Sequence, residues 1–256
     1  MKYTNYYLNK STNLDVILHQ PKGQVISGYA IGIIYLDTWY PIVPGNVCHA
    51  NTYDFPVLFQ RISGGDPQKI YYGDPELLEA IIDACRELQK QGVRAIAGAC
   101  GYMGNYQTKV SAALDVPVFL SSLLQLPMIY RALKPSHKIG ILCATGGNMN
   151  PKLLGECGAA NIPIVSIGLE DKPEFKNITF SLGEFNYEKM EKEVVDAALE
   201  LTKKNPEVGA ILLECSDMPP FAAAVQKAVK MPVFDFITMI NWVYSGVVQK
   251  MYEGIN

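Results

Sequence analysis

The sequence predicts an α/β protein of two pseudo-symmetric doubly wound halves, each a mostly parallel sheet flanked by helices, with a cleft between them. Three observations lead there. Short runs rich in Val and Ile recur, bounded by Gly or Pro, as in strands buried on both faces of a parallel sheet. Helical patterns separate these runs. One segment of the 256-residue chain repeats at a fixed offset.

The elements follow in chain order. Residues 1–24 are an extension; its first ten residues are polar and tyrosine-rich and lack the apolar run of a signal peptide. Strands are expected at 31–36, 93–99 and 116–120 in a first half spanning 25–130. They are expected at 139–144, 162–167, 208–214 and 231–236 in a second half spanning 136–235. Asp74-Pro75-Glu76 reads as a helix start, with Asp as cap, Pro in the first turn and an acid near the positive end of the dipole. That helix presents Leu77, Leu78, Ile81, Ile82, Cys85 and Leu88 on one face. Residues 187–204 form a second amphipathic helix, stopping before Asn205-Pro206. Lys134-Pro135-Ser136 is the expected crossover, and a last helix over 238–253 packs back on the first half.

The repeat has an offset of 115 residues. It lays 93–119 on 208–234 without a gap, and ten of the 27 positions are identical; ordinary composition gives about two by chance. Among the ten are Ile96/Ile211, Cys100/Cys215, Met103/Met218 and the closing Pro117-Val118-Phe119/Pro232-Val233-Phe234. A weaker echo links Ile31-Gly32-Ile33 to Ile139-Gly140-Ile141.

Composition narrows the function classes. Net charge is −3, from 22 basic and 25 acidic residues, which gives no electrostatic footprint for nucleic acid. No stretch reaches the length of a membrane span, so a cytoplasmic location is expected. Six cysteines without a CxxC pair or Cys/His cluster argue against a disulfide framework or a zinc site. No Walker pattern or full GxGxxG follows a strand.

The chemistry is expected at the paired cysteines. Cys100 and Cys215 each follow an apolar strand, at the sheet end where open α/β folds bind ligands. Each precedes a helix start, whose N–H groups and dipole should lower the thiol pKa. Two thiols facing one small ligand suit removal of a proton from one face of a carbon and its return on the other. No metal or organic cofactor is required for this. Cys48, Cys85, Cys143 and Cys157 read as core residues. Asn46, in the loop after the first strand, suits a carboxylate or amino group, and Trp39, Tyr40 and Tyr102 suggest a partly aromatic pocket.

At these residues the chain resembles the aspartate/glutamate racemase superfamily, over nearly all of its length beyond residue 25. Ala99-Cys100, Glu214-Cys215-Ser216-Asp217 and Ala144-Thr145-Gly146-Gly147-Asn148 carry the resemblance. It implies two α/β halves, an active site between them and one catalytic cysteine from each. It implies that Thr145, Gly146 and Asn148 grip a substrate carboxylate, and that Asp217 tunes Cys215. Gly101, Tyr102 and Ser216 join the substrate side as neighbours of the two cysteines. A homodimer is common among such relatives. Cys100 is followed by Gly101-Tyr102 and not by the Asn-Thr usual in family amino-acid racemases, which speaks against free aspartate or glutamate as substrate.

The expected function is thus a cofactor-independent racemase or epimerase of a small carboxylate-bearing compound. A maleate-isomerase-like or decarboxylase-like enzyme with one catalytic cysteine is the alternative within the fold. A non-catalytic carboxylate-binding protein is the alternative outside enzymology.

Overall fold

The computed structural model describes residue 17, residues 20–250 and residue 252. Most of the expected 1–24 extension lies outside the described residues. The chain forms two four-stranded sheets with all neighbouring strands parallel. The first holds β1 (Ile31–Tyr35), β2 (Val57–Arg61), β3 (Ala95–Gly98) and β4 (Val118–Phe119) in the order β2-β1-β3-β4. The second holds β5 (Lys138–Cys143), β6 (Ile164–Gly168), β7 (Val208–Leu213) and β8 (Val233–Phe234) in the order β6-β5-β7-β8. The two orders are the same pattern used twice, as the sequence repeat requires.

Strand β2 was not expected. It is an edge strand that pairs only with β1; residues 57–60 are half-buried and the closing Arg61 is exposed. Partial burial gives no continuous apolar run, so the signal that exposes buried strands is missing.

The helices follow their sequence signals closely. Asp74 accepts from the Glu76 N–H and opens a short 3-10 turn, Pro75–Leu77, that runs into the helix Leu78–Lys90. Leu77, Ile81, Ile82, Cys85 and Leu88 are buried, with Leu78 half-buried. The helix Tyr187–Lys204 is capped by Asn186, whose side chain accepts from the Lys189 N–H.

The glycine echo between the halves is a packing device. A Cβ on Gly32 would come within 2.8 Å of Leu88 Cδ1, and one on Gly140 within 2.6 Å of Leu201 Cδ2. In each half, a bare backbone on the first strand lets a leucine of the long helix sit directly on the sheet. Close packing of this kind leaves no slack for a methyl group.

The last helix spans Phe236–Val247, against the expected 238–253. It starts earlier because Asp235 and Thr238 form a reciprocal capping box. Its buried residues Phe236, Met239, Ile240 and Val243 pack on Ile31, Ile33, Ala95 and Ala97 of the first sheet. The small side chains of Ala95 and Ala97 leave room for that helix. Among the described residues no helix is long and apolar enough to cross a membrane.

Candidate active site

Topology brings the ends of β1, β3, β5 and β7 to one cavity of about 350 Å³, within the range of small-molecule sites. β3 delivers Ala99 and Cys100, and β7 delivers Glu214, Cys215, Ser216 and Asp217. The loop after β1 supplies Tyr40, Asn46 and Cys48. Tyr35, Phe59, Tyr71 and Tyr102 add aromatic surface. Three acids line the cavity, Asp37, Glu214 and Asp217, and the lining contains no Lys, Arg or His.

The loop after β1 crosses from the first half to the second. Gly45 takes a positive φ of 96°, and a Cβ there would meet the Pro220 Cα at 2.9 Å, so only glycine allows this approach. The Val47 N–H donates to the Ser216 carbonyl at 3.3 Å. Asn46 is thereby placed against Asp217: its Nδ2 donates to Oδ1 of that carboxylate, and its Oδ1 accepts from the Cys48 N–H at 2.8 Å.

Asp217 is the hub of the polar network. Its Oδ2 accepts from the Tyr40 hydroxyl at 3.1 Å and from the Cys215 thiol and Ser216 hydroxyl at 3.4 Å each. Burial raises its pKa, and the hydrogen bonds from Cys215, Tyr40, Asn46 and Ser216 oppose the rise.

The thiols depart from expectation. Helix starts were expected to lower their pKa, but both are raised. Burial is the largest cause for each; Glu214 adds to it at Cys100, and Asp217 then Glu214 at Cys215. The expected effect does operate, since N–H groups of Tyr102 and Met103 pull Cys100 down and that of Asp217 pulls Cys215 down. It is smaller than desolvation of a thiolate in a cavity that already holds carboxyl groups. Each cysteine is only 8% exposed. They are also close enough for charge on Cys100 to raise Cys215.

Of the residues expected at the site, Cys100, Cys215, Asp217, Asn46, Tyr102 and Ser216 line the cavity. Thr145, Gly146, Asn148 and Gly101 are not in its lining. The Thr145 N–H and Oγ1 both engage the Tyr102 hydroxyl, at 2.9 and 3.0 Å, and that hydroxyl donates to the Thr145 carbonyl at 2.8 Å. The Gly146 N–H donates to Glu170 Oε1 at 2.9 Å, and Asn148 Nδ2 to Thr145 Oγ1 at 2.9 Å. The chain's own groups thus occupy the donors expected to grip a carboxylate. Trp39 stays 73% exposed and outside the lining, unlike Tyr40 and Tyr102.

Sequence reasoning passed over several lining residues, among them Cys48 and Glu214. Cys48, read as core, stands on the cavity wall with its pKa pushed up to about 12 by burial and then by Asp217. Glu214 is fully buried at the end of β7, and burial first pushes its carboxyl up to about 8. The available signal was an acid closing an otherwise apolar strand, directly before a cysteine.

The sequence model of the family described as Asp/Glu/Hydantoin racemase matches residues 67–242, which span most of both halves and both cysteines. The chain belongs to this family. Among curated relatives, Dimethylsulfoniopropionate lyase 7 of Emiliania huxleyi (strain CCMP1516) is 30% identical over 239 residues, covering 89% of this chain and 70% of that protein. Dimethylsulfoniopropionate lyase 3 of the same strain is 29% identical over 238 residues, and this chain spans 62% of its length. Among solved structures, a glycine-to-cysteine variant of arylmalonate decarboxylase in its sulfate-associated form superposes with a TM-score of 0.57 at 18% identity, over 85% of this chain and 92% of the other. That likeness concerns the fold.

Proposed function

We propose that this protein is a carbon-acid enzyme in which Cys215, one of the cysteine pair, removes a proton next to a carboxylate, and that its substrate carries a sulfonium leaving group one carbon further on. The single observation carrying this reading is the composition of the cavity. Two thiols from equivalent repeat positions share it with three acids and five aromatic side chains, and no basic side chain lines it. Such a wall favours a cation, through the Asp217 carboxylate and the aromatic faces. Dimethylsulfoniopropionate, named in the relatives, is a zwitterion with a sulfonium at one end and a carboxylate at the other.

Cys215 sulfur takes the proton from the carbon beside the carboxylate, having passed its own proton to Asp217, 3.4 Å away. The electron pair left behind forms the carbon–carbon double bond, and the carbon–sulfur bond breaks. Dimethyl sulfide leaves with that bonding pair and acrylate remains. The proton held by Asp217 leaves to solvent. The upward shift of the thiols fits this order of events. In the empty cavity a thiolate is costly, and a bound sulfonium supplies the positive charge that lowers the cost. Base formation is thereby tied to arrival of the right ligand.

Racemisation is the second reading, and the pseudo-twofold placement of the thiols favours it. Elimination needs one base, because the departing group takes the electrons; racemisation needs both thiols, one to remove and one to return the proton. The two readings separate in one assay. The protein is incubated with dimethylsulfoniopropionate and, in parallel, with single enantiomers of aspartate, glutamate and aryl-substituted carboxylates. Headspace dimethyl sulfide is measured beside optical rotation. Gas release without loss of rotation supports the lyase. Loss of rotation without gas supports the racemase and sinks the first reading.

A further inference from the structure

We infer that Glu214 is a neutral carboxylic acid that donates a hydrogen bond from Oε1 to the substrate's carboxylate. This deepens the reading above and rests on its carboxylate-bearing substrate, though not on the leaving group.

The Glu214 side chain is fully buried. Its Oε2 accepts the Ala144 N–H at 3.1 Å, so that oxygen presents a lone pair. Its Oε1 is buried and has no partner. A buried polar atom without a partner costs about 1–3 kcal/mol, which makes a persistent one unusual. Oε1 lies against Gly101, directly beside Cys100: a Cβ on residue 101 would fall only 2.0 Å from it. Glycine at 101 therefore clears the space that Oε1 occupies. Glu214 itself lines the cavity that Cys100 and Cys215 also line.

The proton then has one place to be. With Oε2 accepting from a backbone N–H and the carboxyl protonated below about 8, the hydrogen sits on Oε1. That makes an O–H donor beside the Tyr102 hydroxyl, which Thr145 already engages through its N–H, its carbonyl and its side chain. A substrate carboxylate here finds no lysine, arginine or histidine in the lining. The backbone donors of Thr145 and Gly146 are already engaged by Tyr102 and Glu170. An O–H donor to carboxylate is short and charge-assisted, and it strengthens as the carboxylate gains charge when the adjacent proton leaves.

The titratable groups around Glu214 are Asp217 and Cys215 from its own segment, Cys100 and Tyr102 after β3, Tyr71 from the helix Pro67–Tyr72, Cys143 at the end of β5, and Cys157. Burial drives all of these thiols and phenols upward, away from neutral pH.

The test uses binding, so it does not depend on turnover. Propionate, which has the carboxylate but no leaving group, and propyltrimethylammonium, which has the charge but no carboxylate, are titrated calorimetrically into wild type, Glu214→Gln and Glu214→Leu between pH 6 and 9.5. Wild type is expected to lose propionate affinity by about tenfold per pH unit above about 8, as the donor ionises and repels the ligand. Propyltrimethylammonium should bind no more weakly over the same range. Glu214→Gln keeps an N–H donor and should bind propionate with a flat profile, whereas Glu214→Leu should bind it at least tenfold more weakly than Gln. Infrared spectra should also show a protonated carboxyl stretch at pH 6.5 that is absent in Glu214→Gln. A wild-type propionate profile matching that of Glu214→Gln, equal affinity in the Gln and Leu variants, or no saturable propionate binding overturns the inference. Failure of dimethyl sulfide release alone would overturn only the proposed lyase activity.

Discussion

Replacing Glu214 with Gln should remove a steep decline in the protein's stability as pH rises. The carboxyl has an ordinary value of 4.5 and is pushed to about 8 in the folded chain, chiefly by burial. Below 4.5 both folded and unfolded chains hold this proton, and the group has no effect on the equilibrium. Between 4.5 and about 8 the folded chain holds it and the unfolded chain releases it. Stability therefore falls as pH rises, by about 1.4 kcal/mol per pH unit. Above about 8 both states are ionised and the fall stops. Over the whole span this group removes about 5 kcal/mol, and about 3 kcal/mol of that is already lost at pH 7. Glutamine keeps the shape and can still accept the Ala144 N–H, but it does not titrate. Urea unfolding followed by far-ultraviolet circular dichroism, on both proteins at half-unit steps from pH 4.5 to 9, reads the difference. The variant should gain on wild type by about 5 kcal/mol across that range, with the gain ending near pH 8–9. Curves that stay parallel to within about 1 kcal/mol would show that Glu214 titrates normally, and the hydrogen-bond argument built on its proton would fail.

Three further outcomes follow from the same geometry. Asp217→Asn removes the charged acceptor beside Cys215, so the rate of proton abstraction should fall about 10²–10⁴-fold with little change in KM; a rate within twofold of wild type would remove Asp217 from the mechanism. Gly140→Ala forces a methyl group into Leu201 and Ile211, and should cost about 1–3 kcal/mol in denaturant unfolding, whereas a neutral result would contradict the close helix-on-strand packing. Tyr102→Phe leaves the Thr145 N–H and carbonyl without their shared partner, and a thermal scan should show a loss equivalent to about 1–3 kcal/mol; an unchanged midpoint would mean the loop does not depend on that hydroxyl.

Much of the fold was legible because burial writes a strong pattern. The strands β1, β3, β5 and β7 sit in sheet interiors and read as apolar runs, and the repeated Val-Phe of β4 and β8 is preserved between the halves. Strand β2 escaped because an edge strand need not be apolar throughout. The cysteine pair was legible through the repeat, which marks equivalent positions whatever the local environment. The sign of the thiol pKa shift was not legible. It depends on how deeply the groups are buried and on Glu214 and Asp217 lying beside them, which are properties of the assembled cavity. The Thr145-Gly146 loop shows the same limit. Its donors look free in sequence, but Tyr102 and Glu170 reach them only through tertiary structure.

The central claim is that Cys215, sharing its cavity with Cys100, removes the proton from the carbon beside a carboxylate. The most direct measurement follows dimethylsulfoniopropionate by proton NMR in deuterium oxide, with wild type, Cys100→Ser and Cys215→Ser side by side. The account predicts acrylate and dimethyl sulfide from wild type, loss of at least 10²-fold in Cys215→Ser, and a smaller loss in Cys100→Ser. Equal turnover by wild type and Cys215→Ser, or a wild type that binds propionate but neither releases dimethyl sulfide nor exchanges the proton beside the carboxylate of any compound in the panel, would contradict it.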